Sequence, residues 1–246
     1  MKADPAAQLR LLDLQGLDTA IAQLQHRRAS LPELAALARC GERARLLQTR
    51  TAEVQVRADE LDDAQRRLEA DVDTVRTRTA RDEQRLAAGG LPGKELEGLQ
   101  HEIASLARRQ SGLEDELLEL MEQREGVDGE LALARRDREE IEAEVARLTT
   151  ARDEAFATID ADLAGRRADR EAVAADLPAD LLALYDKIRP TSGGVGAAAL
   201  RQRRCEGCRI ELAGQELSAV RVAAPDVVLR CENCRRILVR TADSGL

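Results

Sequence analysis

Residues 96–131 read LEGLQHEIASLARRQSGLEDELLELMEQREGVDGEL, and their apolar side chains recur at alternating steps of three and four. Followed onward, the stripe runs Leu96, Leu99, Ile103, Leu106, Gln110, Leu113, Leu117, Leu120, Arg124, Val127, Leu131, Ala134, Arg138, Ile141, Val145, Leu148, Arg152, Ala155, Ile159. Fifteen of these nineteen positions are apolar, and the register does not slip. A strict 3.5-residue repeat is the seam of a left-handed coiled coil, because an unsupercoiled helix carries such a stripe around its surface. A second stripe lies upstream: Leu37, Cys40, Ala44, Leu47, Thr51, Val54, Ala58, Leu61, Gln65, Leu68, Val72, Val75, Thr79, Asp82, Leu86, with eleven of fifteen apolar.

Gly89-Gly90-Leu91-Pro92-Gly93 separates the two stripes and must end both helices. A short connection makes the helices antiparallel neighbours. The expected arms, 5–87 and 94–176, each hold 83 residues, so each extends roughly 120 Å if fully helical. Facing partners near the tip then have residue numbers that add to about 181. Ser30-Leu31-Pro32-Glu33 reads as a capping box with proline in the first turn, so a new helix is expected to start at Ser30, opposite Thr149-Thr150. Residues 5–29 form a separate first helix with Leu14, Leu17, Ile21 and Leu24 as its stripe. The seam residues Arg124, Arg138 and Arg152 lay their stems along the apolar stripe and send their guanidiniums to water or to facing carboxylates.

Composition agrees with this reading. Of 246 residues, 34% are charged and only 1% aromatic, with one Tyr, one Phe and no Trp. That argues against a large α/β enzyme, a β-sandwich or a barrel, whose strands favour aromatic and β-branched side chains. The start of the chain has no apolar h-region and no run of 18 apolar residues occurs, so neither a signal peptide nor a membrane span is expected and the chain is expected to be cytoplasmic. Net charge is −8, unevenly spread: residues 201–246 hold nine Arg and six acids (+3), leaving 29 basic and 40 acidic residues (−11) in 1–200.

After Leu177-Pro178 the pattern changes. Ala179 to Arg189 reads as a short helix, and Val195 to Leu200 as a strand entering a terminal module. The expected division is therefore a hairpin over 1–178, with its tip near 88–94 and a break near 30–32, followed by 179–246 as short helix, linker and a module with its core at 195–240.

Four of the five cysteines lie in that module, as Cys205-Glu206-Gly207-Cys208 and Cys231-Glu232-Asn233-Cys234. Each C-x-x-C turns two thiolates toward one point, and two such knuckles face to face complete a tetrahedron around one Zn2+. Gly207 and Asn233 are expected to take the tight backbone of the two knuckles. Disulfides do not suit a reducing compartment and no βαβ context supports a thioredoxin-like pair, whereas iron shares the preference for thiolates. Four sulfur ligands leave no place for water, which makes the site structural rather than catalytic. Cys40, on the first stripe, reads as a small buried hydrophobe. No phosphate loop, zinc-protease motif or nucleophile–base pair survives inspection, so no catalytic residues, no small-molecule substrate and no enzyme activity are expected.

Arg201, Arg203, Arg204, Arg209, Arg230, Arg235, Arg236 and Arg240 cluster around the cysteines, with Arg221 nearby. Guanidinium forks suit phosphate, so RNA or DNA is a candidate partner; without an aromatic neighbour, recognition by base stacking is not expected. The rival reading is that these arginines neutralise the thiolate centre and solubilise a small domain, leaving a protein–protein scaffold.

The chain resembles a family of bacterial coiled-coil proteins that end in a four-cysteine zinc ribbon. The resemblance rests on Lys94-Glu95-Leu96 at the tip, Leu99-Gln100-His101-Glu102-Ile103, Leu113-Glu114-Asp115-Glu116, Leu120-Met121-Glu122, Leu182 to Arg189, and Cys231-Glu232-Asn233-Cys234-Arg235-Arg236-Ile237-Leu238. The family usually has glycine where Arg235 stands. The resemblance implies a long hairpin topped by a small zinc-bound β-module. It also implies an adaptor role with a protein partner, since some members serve a sigma factor, secretion components or messenger RNA.

Overall fold

The computed structural model describes residues 1–246. Five α-helices and four strands follow in the order α1 (Pro5–Ala29), α2 (Pro32–Ala88), α3 (Gly93–Ala175), α4 (Ala179–Ile188), β1 (Ala197–Arg201), β2 (Arg204–Cys205), α5 (Gly214–Val222), β3 (Leu229–Arg230) and β4 (Ile237–Arg240). The fold is mainly α: an antiparallel coiled-coil hairpin with a small C-terminal β-rich module. No helix is long and apolar enough to cross a membrane.

Two compact units result, Ala35–Leu148 and the combination of Met1–Leu34 with Thr149–Leu246. Within the first, α2 and α3 pair along the two stripes read from the sequence. Val54 and Ala58 pack with Val127 and Leu131, and Cys40 is buried with Ile141 and Leu148. Pairing 58 with 127 and 54 with 131 makes facing numbers add to 185, four more than a symmetric tip implies. The reason lies in the stripes themselves. At this offset every seam residue from Leu37 to Leu86 meets a seam residue of α3, whereas a sum of 181 sets alternate ones against flanking positions. Arg124 keeps its stem in the seam and bonds Asp62 across it at 2.6 Å. Arg138 instead turns outward to Glu142 on its own helix. Gly89 (φ 70°) and Gly90 (φ 81°) both take the left-handed conformation at the tip, which an L side chain resists.

The second unit departs from the expected division near 178, because α1 is part of the C-terminal module's core. Leu11 and Leu14 of α1 pack with Leu181, Tyr185 and Ile188 of α4 and with Ala197, Ile237 and Val239 of the sheet. The sheet has the order β2-β1-β4-β3, with β1 and β4 parallel and the outer pairs antiparallel. Side chains alternate across it: Ala197, Ile237 and Val239 face the helices, while Ala198, Leu200 and Leu238 face Cys205 and Cys231. Lys2 bridges Val227, which ties the first residues of the chain to the module.

The expected capping box at Ser30 is corrected. Ser30 ends α1, donating both its N–H and its hydroxyl to the His26 carbonyl, and α2 begins at Pro32. Leu31 packs with Ile21, Ile159 and Leu163, beyond residue 154 that a sum of 185 would set opposite it, so the break between α1 and α2 shifts the register further.

Candidate metal centre

Cys205 ends β2 and Cys231 follows β3, so the sheet delivers the first sulfur of each knuckle. The four Sγ atoms lie within 4.8 Å of one another, with Cys205 and Cys234 3.9 Å apart and Cys208 and Cys231 3.8 Å apart. A tetrahedron with Zn–S of about 2.3 Å has edges of about 3.8 Å, so the sulfurs already stand where one zinc ion would hold them. The donor chemistry fits as well. Burial pushes the Cys205 and Cys231 thiols up, while Cys234, despite its own burial, is held down by the backbone N–H and guanidinium of Arg236. A cation among the sulfurs would offset the burial that disfavours the Cys205 and Cys231 thiolates.

Both knuckles close in the same way. The N–H of Arg209 donates to the Cys205 carbonyl at 2.7 Å, and that of Arg235 to the Cys231 carbonyl at 2.9 Å. This places the residue after each C-x-x-C, not Gly207 or Asn233, in the left-handed region, at φ 60° for Arg209 and 63° for Arg235. Gly207 is needed for space instead: a Cβ there would stand 2.8 Å from Cδ of Arg236 and 3.0 Å from Cβ of Ala198. Replacing Arg235 with Gly is expected to stabilise the module by about 1 kcal/mol, since a left-handed L residue costs ~1–2 kcal/mol against which glycine's flexibility offsets part. A higher urea midpoint at unchanged m-value is the check.

The eight arginines divide into three groups. Arg236 is a structural brace, donating to the carbonyls of Val195 (3.0 Å), Gly207 (3.0 Å) and Ser192 (2.6 Å). Arg240 caps the C-terminal end of α5, with bonds to Ala223 and Ala224 at 2.7 Å each. The donors of these two, both in the expected binding face, are spent on backbone carbonyls. Arg201 faces Asp243, Arg203 bonds the Gly245 carbonyl, and Arg230 bonds the Arg235 carbonyl. Arg204, Arg209 and Arg235 are exposed, and their side chains engage no carboxylate or carbonyl.

Two contributions have no cysteine or arginine signal in the sequence. Glu216, buried in the first turn of α5, accepts the N–H of Glu232 at 2.9 Å and so holds the second knuckle from outside. Deeper in the unit, Tyr185 is fully buried and donates its hydroxyl to Asp18 (2.7 Å) and Gln15 (3.1 Å). Gln15 in turn accepts the N–H of Gly196 at 2.7 Å, and Asp18 receives Arg170 (2.8 Å) and Arg189 (2.9 Å).

A paired-helix arm carrying four convergent sulfurs defines a class of coiled-coil proteins with a metal-stabilised ribbon, an architecture for binding. The chain belongs to the CT398-like coiled coil hairpin family, whose domain matches residues 14–193; residues 204–238 match the C4-type zinc ribbon domain, and Cys205, Cys208, Cys231 and Cys234 stand close enough together to hold its one zinc ion. It is 38% identical over 240 residues to the uncharacterized protein Rv2229c of Mycobacterium tuberculosis, covering 98% of each chain. It is 29% identical over 214 residues to ML1638 of Mycobacterium leprae, covering 87% of this chain and 92% of that one. A solved Mycobacterium smegmatis structure superposes with a TM-score of 0.87 at 34% identity, covering 98% of this chain and all of its own. CT398 from Chlamydia trachomatis shares the fold, with a TM-score of 0.72 at 20% identity over 96% and 98% of the two chains.

Proposed function

We propose that this protein is a non-catalytic adaptor whose zinc ribbon grips the phosphate backbone of a nucleic acid, RNA or DNA, while the coiled coil engages a protein partner. The observation that carries the first half is the trio of exposed, unpaired guanidiniums of Arg204, Arg209 and Arg235. Two of them directly follow the zinc knuckles, so the metal fixes where their backbones stand. Guanidiniums free of carboxylates are available for phosphate forks. With the single Tyr buried and no Trp, the ribbon has no stacking platform, and contacts to phosphate rather than to bases follow. Four sulfurs saturating the metal support a non-catalytic role. Thiolate ligation also supports a reducing, cytoplasmic setting.

The second half rests on α3. Asp115, Glu116, Glu119, Glu122 and Glu125 are exposed without an ion-pair partner, and Leu118 and Met121 among them are 60% and 47% exposed. An acidic face with apolar residues at its centre suits a protein partner better than a polyanion.

The test is a salt titration of binding to a short duplex. Each neutralised phosphate of B-DNA contributes about −0.9 to the slope of log K against log salt. Changing Arg204, Arg209 and Arg235 together to Ala is expected to reduce that slope by about 2 to 3 and to weaken binding at every sequence tested. Unchanged affinity in a triple variant that retains its metal removes the nucleic-acid reading and leaves a protein–protein scaffold.

A further inference from the structure

One continuous chain of contacts links the metal centre to the foot of α1. Arg236, two residues after Cys234, holds the carbonyls of Val195 and Ser192. The next residue, Gly196, gives its N–H to Gln15, and Gln15 Nε2 reaches back to the Gly194 carbonyl at 3.1 Å. Gln15 also accepts the Tyr185 hydroxyl, and Tyr185 bonds Asp18. Strand β1 reinforces the link mechanically. Its Ala198 and Leu200 pack against Cys205 and Cys231, while Ala197 packs against Leu11, Leu14 and Tyr185. Gly196 has no slack, since a Cβ there would lie 2.8 Å from the Tyr185 ring.

These contacts depend on the knuckles staying closed. With the knuckles held on a metal, residues 192–197 are pinned from one side by Arg236 and from the other by Gln15. Without it, the cysteine side of β1 loses its packing partners and the carbonyl brace loses its anchor. Gln15, Asp18 and Tyr185 can then satisfy their polar groups with water only by opening the α1–α4 junction.

We propose that metal loading of the four-cysteine site controls the docking of α1, with residues 192–197 and the Gln15–Tyr185–Asp18 cluster as the latch. The ribbon is then a sensor as well as a grip: loss of its ion releases the first helix of the chain. Coupling of this kind is reciprocal, so loosening the latch must weaken metal binding in the same proportion. The proposal is independent of what the arginines bind.

Tyr185 makes the test direct, because it is the chain's one tyrosine and no tryptophan masks it. A phenol bonded to a carboxylate in a buried site emits weakly and resists ionisation. Stripping the full-length, zinc-loaded protein with a strong chelator is expected to raise Tyr185 emission and to bring its ionisation toward the ordinary value near pH 10. The converse experiment competes zinc between the protein and a chromophoric chelator. Gln15→Leu is expected to lower the apparent zinc affinity about tenfold, and Tyr185→Phe, which keeps the ring, to lower it less but in the same direction. Should Gln15→Leu fail to fold, the Tyr185→Phe measurement decides alone. Identical Tyr185 emission and titration with and without metal, or native zinc affinity in Tyr185→Phe, overturns the proposal.

Discussion

Cys231→Ser is expected to unfold the ribbon while leaving the coiled coil of residues 35–148 helical. Zinc bound to small four-ligand modules contributes roughly 10–16 kcal/mol of apparent free energy, which matches or exceeds the whole stability of an ordinary domain, about 5–15 kcal/mol. The apolar core beside the metal cannot replace it. It consists of Ala198, Leu200, Leu212, Val220 and Leu238 around the cysteines themselves, and each fully buried aliphatic side chain contributes only about 1.5–3 kcal/mol before chain entropy is subtracted. Removal of one sulfur leaves three thiolates that repel one another, and burial already pushes the Cys205 thiol toward the neutral form. Hydrogen exchange reads the result: amides of β1 and β4 lose protection, while those around Val54, Ala58, Val127 and Leu131 keep it. Cys40→Ser is the control, since Cys40 is buried away from the four-cysteine site within the other compact unit; it should cost about 1–3 kcal/mol for a buried hydroxyl and leave metal content unchanged. Retained protection in β1 and β4 of a metal-free Cys231→Ser protein would show that the sheet stands without its ion.

The parts of this molecule that were legible in the sequence are those written in short-range spacing. Seam residues three and four apart, glycines at a turn and cysteines three apart each carry their geometry locally, so the hairpin and the four-cysteine cluster could be read directly. The register was harder, because a symmetric tip and the interlocking of Leu37 to Leu86 with α3 point to offsets four residues apart, and side-chain packing decides between them. The docking of α1 was not readable at all. It depends on β1 and β4 pairing in parallel across a separation of 40 residues, and on Gln15 meeting Gly196 across 181. Helix α5 escaped because Ala213 supplies no capping side chain and the nine residues show little periodicity. The arginines' partners were hidden for a different reason. Composition counts charge, but Arg236 and Arg240 spend theirs on carbonyls, and the left-handed backbones of Arg209 and Arg235 carry none of glycine's warning.

Asp18→Ala should be the most damaging substitution outside the metal ligands. The Asp18 side chain is 2% exposed and receives three donors, from Tyr185, Arg170 and Arg189. Truncation strands a buried hydroxyl whose other acceptor, Gln15, already serves Gly196, and two guanidiniums that can turn only partly to water. Breaking a buried pair of this kind costs about 3–5 kcal/mol, and the partial exposure of both arginines favours the lower end. Asn keeps the shape and an acceptor but not the charge, so Asp18→Asn should fall between native and Ala. Asp186, an exposed carboxylate bonded to the same Arg170, is the contrast: Asp186→Ala should cost less than about 1 kcal/mol, as exposed pairs do. Alkaline pH isolates the tyrosine's share. Burial first, and then the Asp18 carboxylate, push the Tyr185 phenol well above its ordinary value. Below about pH 10 both folded and unfolded chains keep the proton and the contribution is fully present; above it only the unfolded chain ionises, so stability falls as pH rises. Tyr185→Phe has no proton to lose and should flatten that fall. Urea midpoints of native and Tyr185→Phe protein that drop in parallel between pH 9 and 11 would show the phenol to be in contact with water.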